Sequence, residues 1–371
     1  MKTKRQIPFF PYAELFRSRE SELLEVIADV CRRGAYILQR DCEEFESRLA
    51  AFMGARYAFG VANGTDAIML GLKAMGIGPE DEVIIPSHTY VATAAAVHWV
   101  GATPVLAECG PDHMLDATDA EKRITARTAA IMPVQLNGRT CDMDAIQELA
   151  SRRGLAVCED AAQGLGSRFR NRCAGTFGAF GTISFYPAKL LGCLGDGGAV
   201  VTDDDALAEK VALLRDHGRN ADGRVVAWGY NSRLDNLQAA ILNFKLRFFA
   251  EDIARRRAVA ARYQDGLGDL ETLDLPPAPD EDPRHFDVYQ NYEIEADDRD
   301  ALRSHLRSCG VHTIIQWAGT PVHRFAELGF EQALPVTDAV FERCLMLPMN
   351  VALADDDIDY IIDSVREFYG S

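Results

Sequence analysis

Among the seven lysines of this chain, one lies in a segment suited to covalent chemistry. Lys189 sits within Thr182-Ile-Ser-Phe-Tyr-Pro-Ala-Lys-Leu-Leu-Gly-Cys-Leu-Gly-Asp-Gly-Gly198, among Phe185, Tyr186, Pro187, Leu190 and Leu191. Lys2, Lys4, Lys73, Lys122, Lys210 and Lys245 fall near the terminus or on charged helix faces. Apolar surroundings disfavour the ammonium form, and an amine so treated becomes a nucleophile able to form a Schiff base. The same surroundings suit a lysine that lays its stem on the core and keeps its head in water.

Three further groups bear on the choice. Val61-Ala-Asn-Gly64-Thr65-Asp66 reads as a strand running into a glycine and a threonine that opens a helix. The free N–H groups of such a helix start, with the Thr65 hydroxyl, form an anion site; an ordinary capped helix would look the same. Val157-Cys-Glu159-Asp160-Ala-Ala-Gln163 is an apolar strand ending in two acids. A carboxylate there is either a solvated cap or a partner for a protonated ring nitrogen. Ser184, five residues before the lysine, can donate to the same anion as Thr65. Phosphate, pyridinium and aldehyde each find a partner in this set, which is what holding pyridoxal 5'-phosphate requires.

The elements around these residues alternate in kind. Tyr57–Val61, Glu82–Pro86, Pro104–Ala107, Ala129–Val134, Leu155–Cys158, Gly181–Phe185 and Ala199–Thr202 read as strands. Helices fall at Ser21–Arg33, Arg40–Phe52, Thr65–Met75, Val91–Val100 and Asp142–Arg153. Short apolar runs between amphipathic helices predict an α/β fold with a mainly parallel central sheet flanked by helices. Ligands in such sheets bind beyond the carboxyl ends of the strands, where all these candidate groups lie. After residue 202 the alternation stops and one long helix is expected from Asp235 to Leu267. A Pro-rich acidic connector at 275–283 follows. Beyond it a strand is expected at Val288–Glu295, a helix at Asp298–Ser308, a strand at Thr313–Trp317 and a terminal helix at Ala354–Tyr369. The division expected is a large domain over 1–250, beginning with an irregular arm, and a smaller C-terminal α+β domain over 251–371.

Composition narrows the classes. A net charge of −17 disfavours nucleic acid and anionic membranes as partners. No run of about eighteen apolar residues is present, and the basic N-terminus lacks the apolar stretch of a signal peptide. Nine cysteines, without a CxxC pair, suit reduced thiols in the cytoplasm better than a disulfide framework or zinc site, so no metal is expected. Neither a GxxxxGK[ST] loop nor a GxSxG elbow occurs, which argues against a P-loop NTPase and an acyl-transfer enzyme.

Six ordered motifs then carry a resemblance. They are Gly64-Thr-Asp-Ala67, Pro86-Ser-His-Thr-Tyr-Val-Ala-Thr93, Glu159-Asp-Ala-Ala-Gln163, Ser184-Phe-Tyr-Pro-Ala-Lys189, Gly195-Asp-Gly-Gly198 and Gly229-Tyr-Asn-Ser-Arg-Leu-Asp235. From about residue 8 to the C-terminus the chain resembles the DegT/DnrJ/EryC1/StrS family of pyridoxal-phosphate-dependent nucleotide-sugar aminotransferases, which have fold type I. The resemblance implies that Lys189 forms the Schiff base and moves the proton. It implies that Asp160 binds the pyridine nitrogen, that Tyr90 stacks on the ring and that Gln163 lies beside its phenolic oxygen. Gly64, Thr65 and Ser184 would hold the phosphate, and Asn231 would reach the phosphate of a neighbouring subunit in a homodimer. His88, Arg219, Asn220 and His323 are the substrate-side candidates. Gln163 replaces the histidine of many members that aminate C4 of the sugar and resembles those that aminate C3. Ile314-Ile-Gln-Trp-Ala-Gly-Thr-Pro-Val-His323 departs from the usual His-Tyr-Pro. The implied reaction moves an amino group from L-glutamate to a keto-sugar nucleotide, with a dTDP-linked 3-keto-6-deoxyhexose favoured, by ping-pong kinetics. The alternatives are C4 amination and a non-catalytic regulatory protein on the same fold; a dehydratase relative would carry histidine in place of Lys189.

Overall fold

The computed structural model describes residues 5–370. Its centre is a sheet in two hydrogen-bonded halves. Thr103–Ala107, Glu82–Pro86, Thr128–Ile131 and Ala156–Val157 run parallel, in that order. The last continues through Cys158 into Glu159–Asp160, which pairs in parallel with Gly181–Ser184. A parallel bridge from Val134 to Asp160 ties the halves. Gly198–Thr202 is the reversed strand, antiparallel to Gly181–Ser184 on one side and to Tyr57–Val61 on the other. The sheet is therefore mainly parallel, and its apolar strands are covered on both faces.

One cover is the buried face of the Gly64–Met75 helix, with Ile68, Leu70 and Leu72, and the Val91–Trp99 helix, with Ala94 and Val97. The other is built on Phe45 and Leu49 of the Arg40–Met53 helix and on Leu242 of the Asn236–Leu246 helix. A smaller α+β unit follows. Its antiparallel strands Leu273–Asp274, Tyr292–Ala296 and Cys344–Leu347 pack with the Phe249–Leu267, Arg299–Ser308 and Asp355–Tyr369 helices around a core containing Tyr263, Tyr292 and Ile361.

Several elements differ from the sequence expectation. The helix expected over Asp235–Leu267 is two, Asn236–Leu246 and Phe249–Leu267, broken where Phe248 leaves helical geometry (φ −109°, ψ 1°) and stacks beneath the Arg19 guanidinium. Phe249–Leu267 bridges the two cores, with Phe249 and Ile253 in the large one and Val259, Tyr263 and Leu267 in the small one. An additional helix, Asp205–Arg215, is capped by Asp204, whose side chain accepts from the Leu207 N–H. The Thr313–Trp317 strand is reduced to one bridge, Ile314 to Met346, before a turn in which Trp317 and Ala318 both take left-handed backbone angles. Tyr289, at φ +50°, delays the strand expected from Val288 until Tyr292. The N-terminal arm joins the C-terminal unit: the Ile7 N–H donates to the Gly310 carbonyl, and the His312 N–H to that of Ile7.

Candidate active site

Lys189, Asp160 and the start of the Gly64–Met75 helix meet at a cavity of about 700 Å3 beyond the strand ends. Strand geometry sorts the two acids at the end of Glu159–Asp160, because successive side chains face opposite sides. Glu159 turns inward and accepts from the N–H groups of Gly175 and Gly178 and from the Gln135 amide, tying down a turn. Asp160 faces the cavity. Its carboxylate accepts from the Thr93 hydroxyl at 2.7 Å and the Ala162 N–H at 3.1 Å, and Thr89 in turn touches Thr93 at 2.7 Å. Burial raises the Asp160 carboxyl above its ordinary value, opposed by Thr93, Ala162 and the Lys189 charge. A buried, under-compensated carboxylate is the partner a cationic ring nitrogen requires.

Lys189 is half-buried and lines the same cavity. Desolvation pushes its amine down to about 8, against the attraction of Asp160. At pH 7.5 roughly a quarter of such an amine is free base, against about one part in a thousand for an ordinary lysine. The lysine's own backbone is clamped: the Gln290 side chain accepts from the Leu190 N–H at 2.7 Å and donates to the Ala188 carbonyl at 2.8 Å.

The anion site is built by close packing. Asn63 caps the helix by accepting from the Asp66 N–H at 2.8 Å, and Asp66 is held by Ser232 at 2.7 Å. The Gly64 and Thr65 N–H groups precede the first backbone bond of the helix, which the Ala67 N–H makes to the Asn63 carbonyl. Both glycines of this cradle are needed for space: a Cβ on Gly64 would stand 3.0 Å from the Ser184 Cβ, and one on Gly198 only 2.4 Å from the Asn63 carbonyl carbon. Tyr90 lies at the cavity with its ring 5.4 Å from the Trp317 indole. Gln163 is buried and its carbonyl accepts from the Asn137 N–H at 2.8 Å. A cradle for a phosphate, an acid for a ring nitrogen, an aromatic face and a desolvated amine are thus the groups that pyridoxal 5'-phosphate requires, gathered at one cavity.

Gly64, Thr65, Tyr90, Asp160, Gln163, Ser184 and Lys189 all line the cavity; the other sequence candidates stand elsewhere. Asn231 is exposed and accepts from Arg233 at 2.7 Å. Arg219 pairs with Asp216 at 3.5 Å, and Asn220 closes an exposed turn by accepting from the Arg224 N–H. His323 is buried, with Nδ1 2.8 Å from the Ser87 hydroxyl and Nε2 3.0 Å from Asp338. His88 is buried behind the cavity wall with neither ring nitrogen hydrogen-bonded.

Beside His88 lies a cluster the sequence reading did not anticipate. His113 bridges Glu293, at 2.9 Å, and Glu295, at 3.0 Å. Burial opposes its charge, but the two carboxylates outweigh burial and push it up to about 10, whereas burial, helped by the His113 charge and opposed by Glu293 and Glu295, takes His88 down to about 4. Ligand atoms of His88, His113 and Glu293 lie within 4.8 Å of one another, yet both His113 nitrogens are already committed to carboxylates, so the cluster is an ion triad in its own right. Cavity residues missed from sequence include Thr93, Gln290, Asn291 and Trp317. Thr93 had a signal, standing one helical turn after Thr89. Gln290 and Asn291 had none, because they arrive from the C-terminal unit about a hundred residues after the lysine.

The fold and this site define a transaminase of fold type I. The chain belongs to the DegT/DnrJ/EryC1/StrS aminotransferase family, whose model matches residues 17–366, and it is an enzyme of that family's nucleotide-sugar aminotransferase class. It is 42% identical over 369 residues to the dTDP-3-amino-3,4,6-trideoxy-alpha-D-glucose transaminase of Streptomyces venezuelae, covering 98% of this chain and 96% of that one. The crystal structure of S. venezuelae DesV in complex with a ketimine intermediate superposes with a TM-score of 0.94 at 41% identity, covering 99% of each chain. NtdA from Bacillus subtilis, solved with bound cofactor PMP, superposes at 0.92 with 29% identity, covering all of this chain and 86% of that one.

Proposed function

We propose that the protein binds pyridoxal 5'-phosphate and transfers an amino group from L-glutamate to C3 of a dTDP-linked 3-keto-6-deoxyhexose, as a step in making a deoxyamino sugar. The observation that carries this reading is the convergence of Lys189, Asp160 and the Gly64–Thr65 helix start on one cavity. The cofactor supplies an electron sink when bound. Asp160 keeps a positive ring nitrogen in place, while Gly64, Thr65 and Ser184 hold the phosphate and Tyr90 covers the ring. Lys189, whose desolvated amine keeps a sizeable free-base fraction near neutral pH, would take the proton from the donor carbon and hand it on. Support for C3 comes from Gln163 and from the 3-amino product in the name of the Streptomyces relative.

The working unit in this proposal is a homodimer. Support comes from Trp228, 98% exposed on a loop that also presents Val225 and Val226, an apolar group of the kind that interfaces cover. Asn231, outside its own chain's cavity and with its amide nitrogen not engaged by the Arg233 bond, would then serve the neighbour's. Reduced cytoplasm is the compartment that suits nine free cysteines.

The first experiment is a visible spectrum of the protein with pyridoxal 5'-phosphate, before and after L-glutamate, beside Lys189→Ala. A yellow band that glutamate bleaches in the wild type and that the variant lacks is the expected result. A band indifferent to glutamate would overturn L-glutamate as the donor. Product regiochemistry by NMR then decides C3, and sedimentation velocity decides the dimer.

A further inference from the structure

Lys189 is held from outside its own domain. Gln290, buried at 3% exposure, spends both ends of its amide on the backbone flanking the lysine, accepting from Leu190 and donating to Ala188. Together the two bonds act as a side-chain substitute for a β-bridge, fixing the peptide planes on either side of residue 189. Gln290 is itself fixed from two directions. The Arg256 guanidinium, buried in the Phe249–Leu267 helix, donates to the carbonyls of Tyr289 at 3.0 Å, Gln290 at 3.2 Å and Met349 at 3.1 Å. Opposite it, Gly138 lies so close that a Cβ would stand 2.4 Å from the Gln290 nitrogen, and the Gly138 carbonyl accepts from the Val288 N–H at 2.8 Å.

From this geometry we infer that Gln290 is a positioning residue for Lys189, and that Arg256 acts through it to aim the lysine amine into the cavity. The inference rests on Lys189 being the reactive amine of the proposed function. Its chemical content is directional. An amide supplies both a donor and an acceptor, and neither a carboxylate nor an alkyl group satisfies Ala188 and Leu190 together. Loosening the clamp lets water reach the amine, and the solvation it regains, the larger effect and one that raises its pKa, outweighs any lost attraction of Asp160, the charged group that faces it.

The test uses the full-length protein and Gln290→Ala and Gln290→Met. The methionine variant is uncharged and of similar length but has neither the donor to Ala188 nor the acceptor for Leu190, so it serves if the alanine variant fails to fold. Trace acetylation of the cofactor-free protein across pH 6–11, read peptide by peptide by mass spectrometry, reports Lys189 against the exposed Lys122 in the same sample. In the wild type Lys189 is expected to titrate well below Lys122. In the variants its midpoint should rise by about one pH unit, so that labelling at pH 7.5 falls about tenfold relative to Lys122. The pH dependence of the visible band after loading with pyridoxal 5'-phosphate should move in the same direction. Variants that fold, show lowered thermal stability and keep the wild-type labelling midpoint would overturn the inference and leave Gln290 a packing residue. Wild-type bleaching by L-glutamate and its loss in Lys189→Ala are measured alongside: failure of the first refutes the proposed donor, a wild-type band in the variant refutes Lys189 as the reactive amine, and the labelling comparison decides Gln290 separately.

Discussion

At the scale of single residues, the site works by setting charges against burial. The Lys189 amine is pushed down by poor solvation of its ammonium, which outweighs the attraction of Asp160; in the proposed function this makes it the reactive amine. Asp160→Asn tests the balance. The substitution keeps the shape and removes the charge, so transamination should fall by roughly 10²–10³-fold, the usual penalty for losing one preorganised electrostatic partner. Thermal stability should hold or rise, since a buried charge is relieved. A rate within threefold of wild type would show that the ring nitrogen does not depend on Asp160. That the two would meet was legible before any fold was known: a lysine in an apolar segment and an acid at a strand end are unusual residues in recognisable places, and both line the cavity. The substrate-side histidines were not. His323 and His88 resemble exposed candidates in sequence, and only packing shows that one is bonded to Ser87 and Asp338 and the other sealed behind the wall.

At the scale of elements, the strand-to-helix corner at 61–66 and the reversed strand behind it form one device. Gly198 faces the Asn63–Gly64 peptide, which no side-chain rotation can move aside. Gly198→Ala should therefore destabilise the protein by about 1–3 kcal/mol, as overpacking does, and weaken pyridoxal 5'-phosphate binding at least tenfold, both measurable in one thermal and spectroscopic titration. Gly223→Ala is the contrast: its left-handed backbone (φ +78°) is strained by a side chain, but nothing lies within 4 Å, so cofactor affinity should not change. Tyr57–Val61 and Glu82–Pro86 were legible to the residue, because buried strands are short apolar runs ended by turn residues. The break at Phe248 was hidden because neither proline nor glycine marks it; a ring seated under Arg19 makes it. Asp205–Arg215 had both a cap and a helical apolar repeat, Leu207, Val211 and Leu214, and was legible in principle. The turn at Trp317 depends on left-handed angles in residues that carry no preference for them.

At the scale of the whole molecule, the C-terminal unit closes over the site and is joined to the large one by buried charge. His113 of the large unit, protonated between Glu293 and Glu295 of the small one, makes that joint sensitive to pH. Its pKa is about 10 in the folded protein and near 6.5 when unfolded. The stabilisation is therefore complete below about pH 6.5 and is lost as pH rises through 10. Urea unfolding should show a decline of a few kcal/mol between pH 7 and pH 10.5 that His113→Ala abolishes; the variant itself should lose about 3–5 kcal/mol at pH 7, since it strands two buried carboxylates. A pH-independent difference between the two proteins would refute this. Unlike the strands, the union of the units was illegible, since its partners are about 180 residues apart in sequence. The arm at Ile7 extends the same theme to synthesis. Its partners at Gly310 and His312 leave the ribosome roughly 300 residues later, at least about 15 seconds at usual elongation rates. Throughout that interval the Ile7 backbone has neither of these partners, so the end of the chain made first is among the last parts to be fastened.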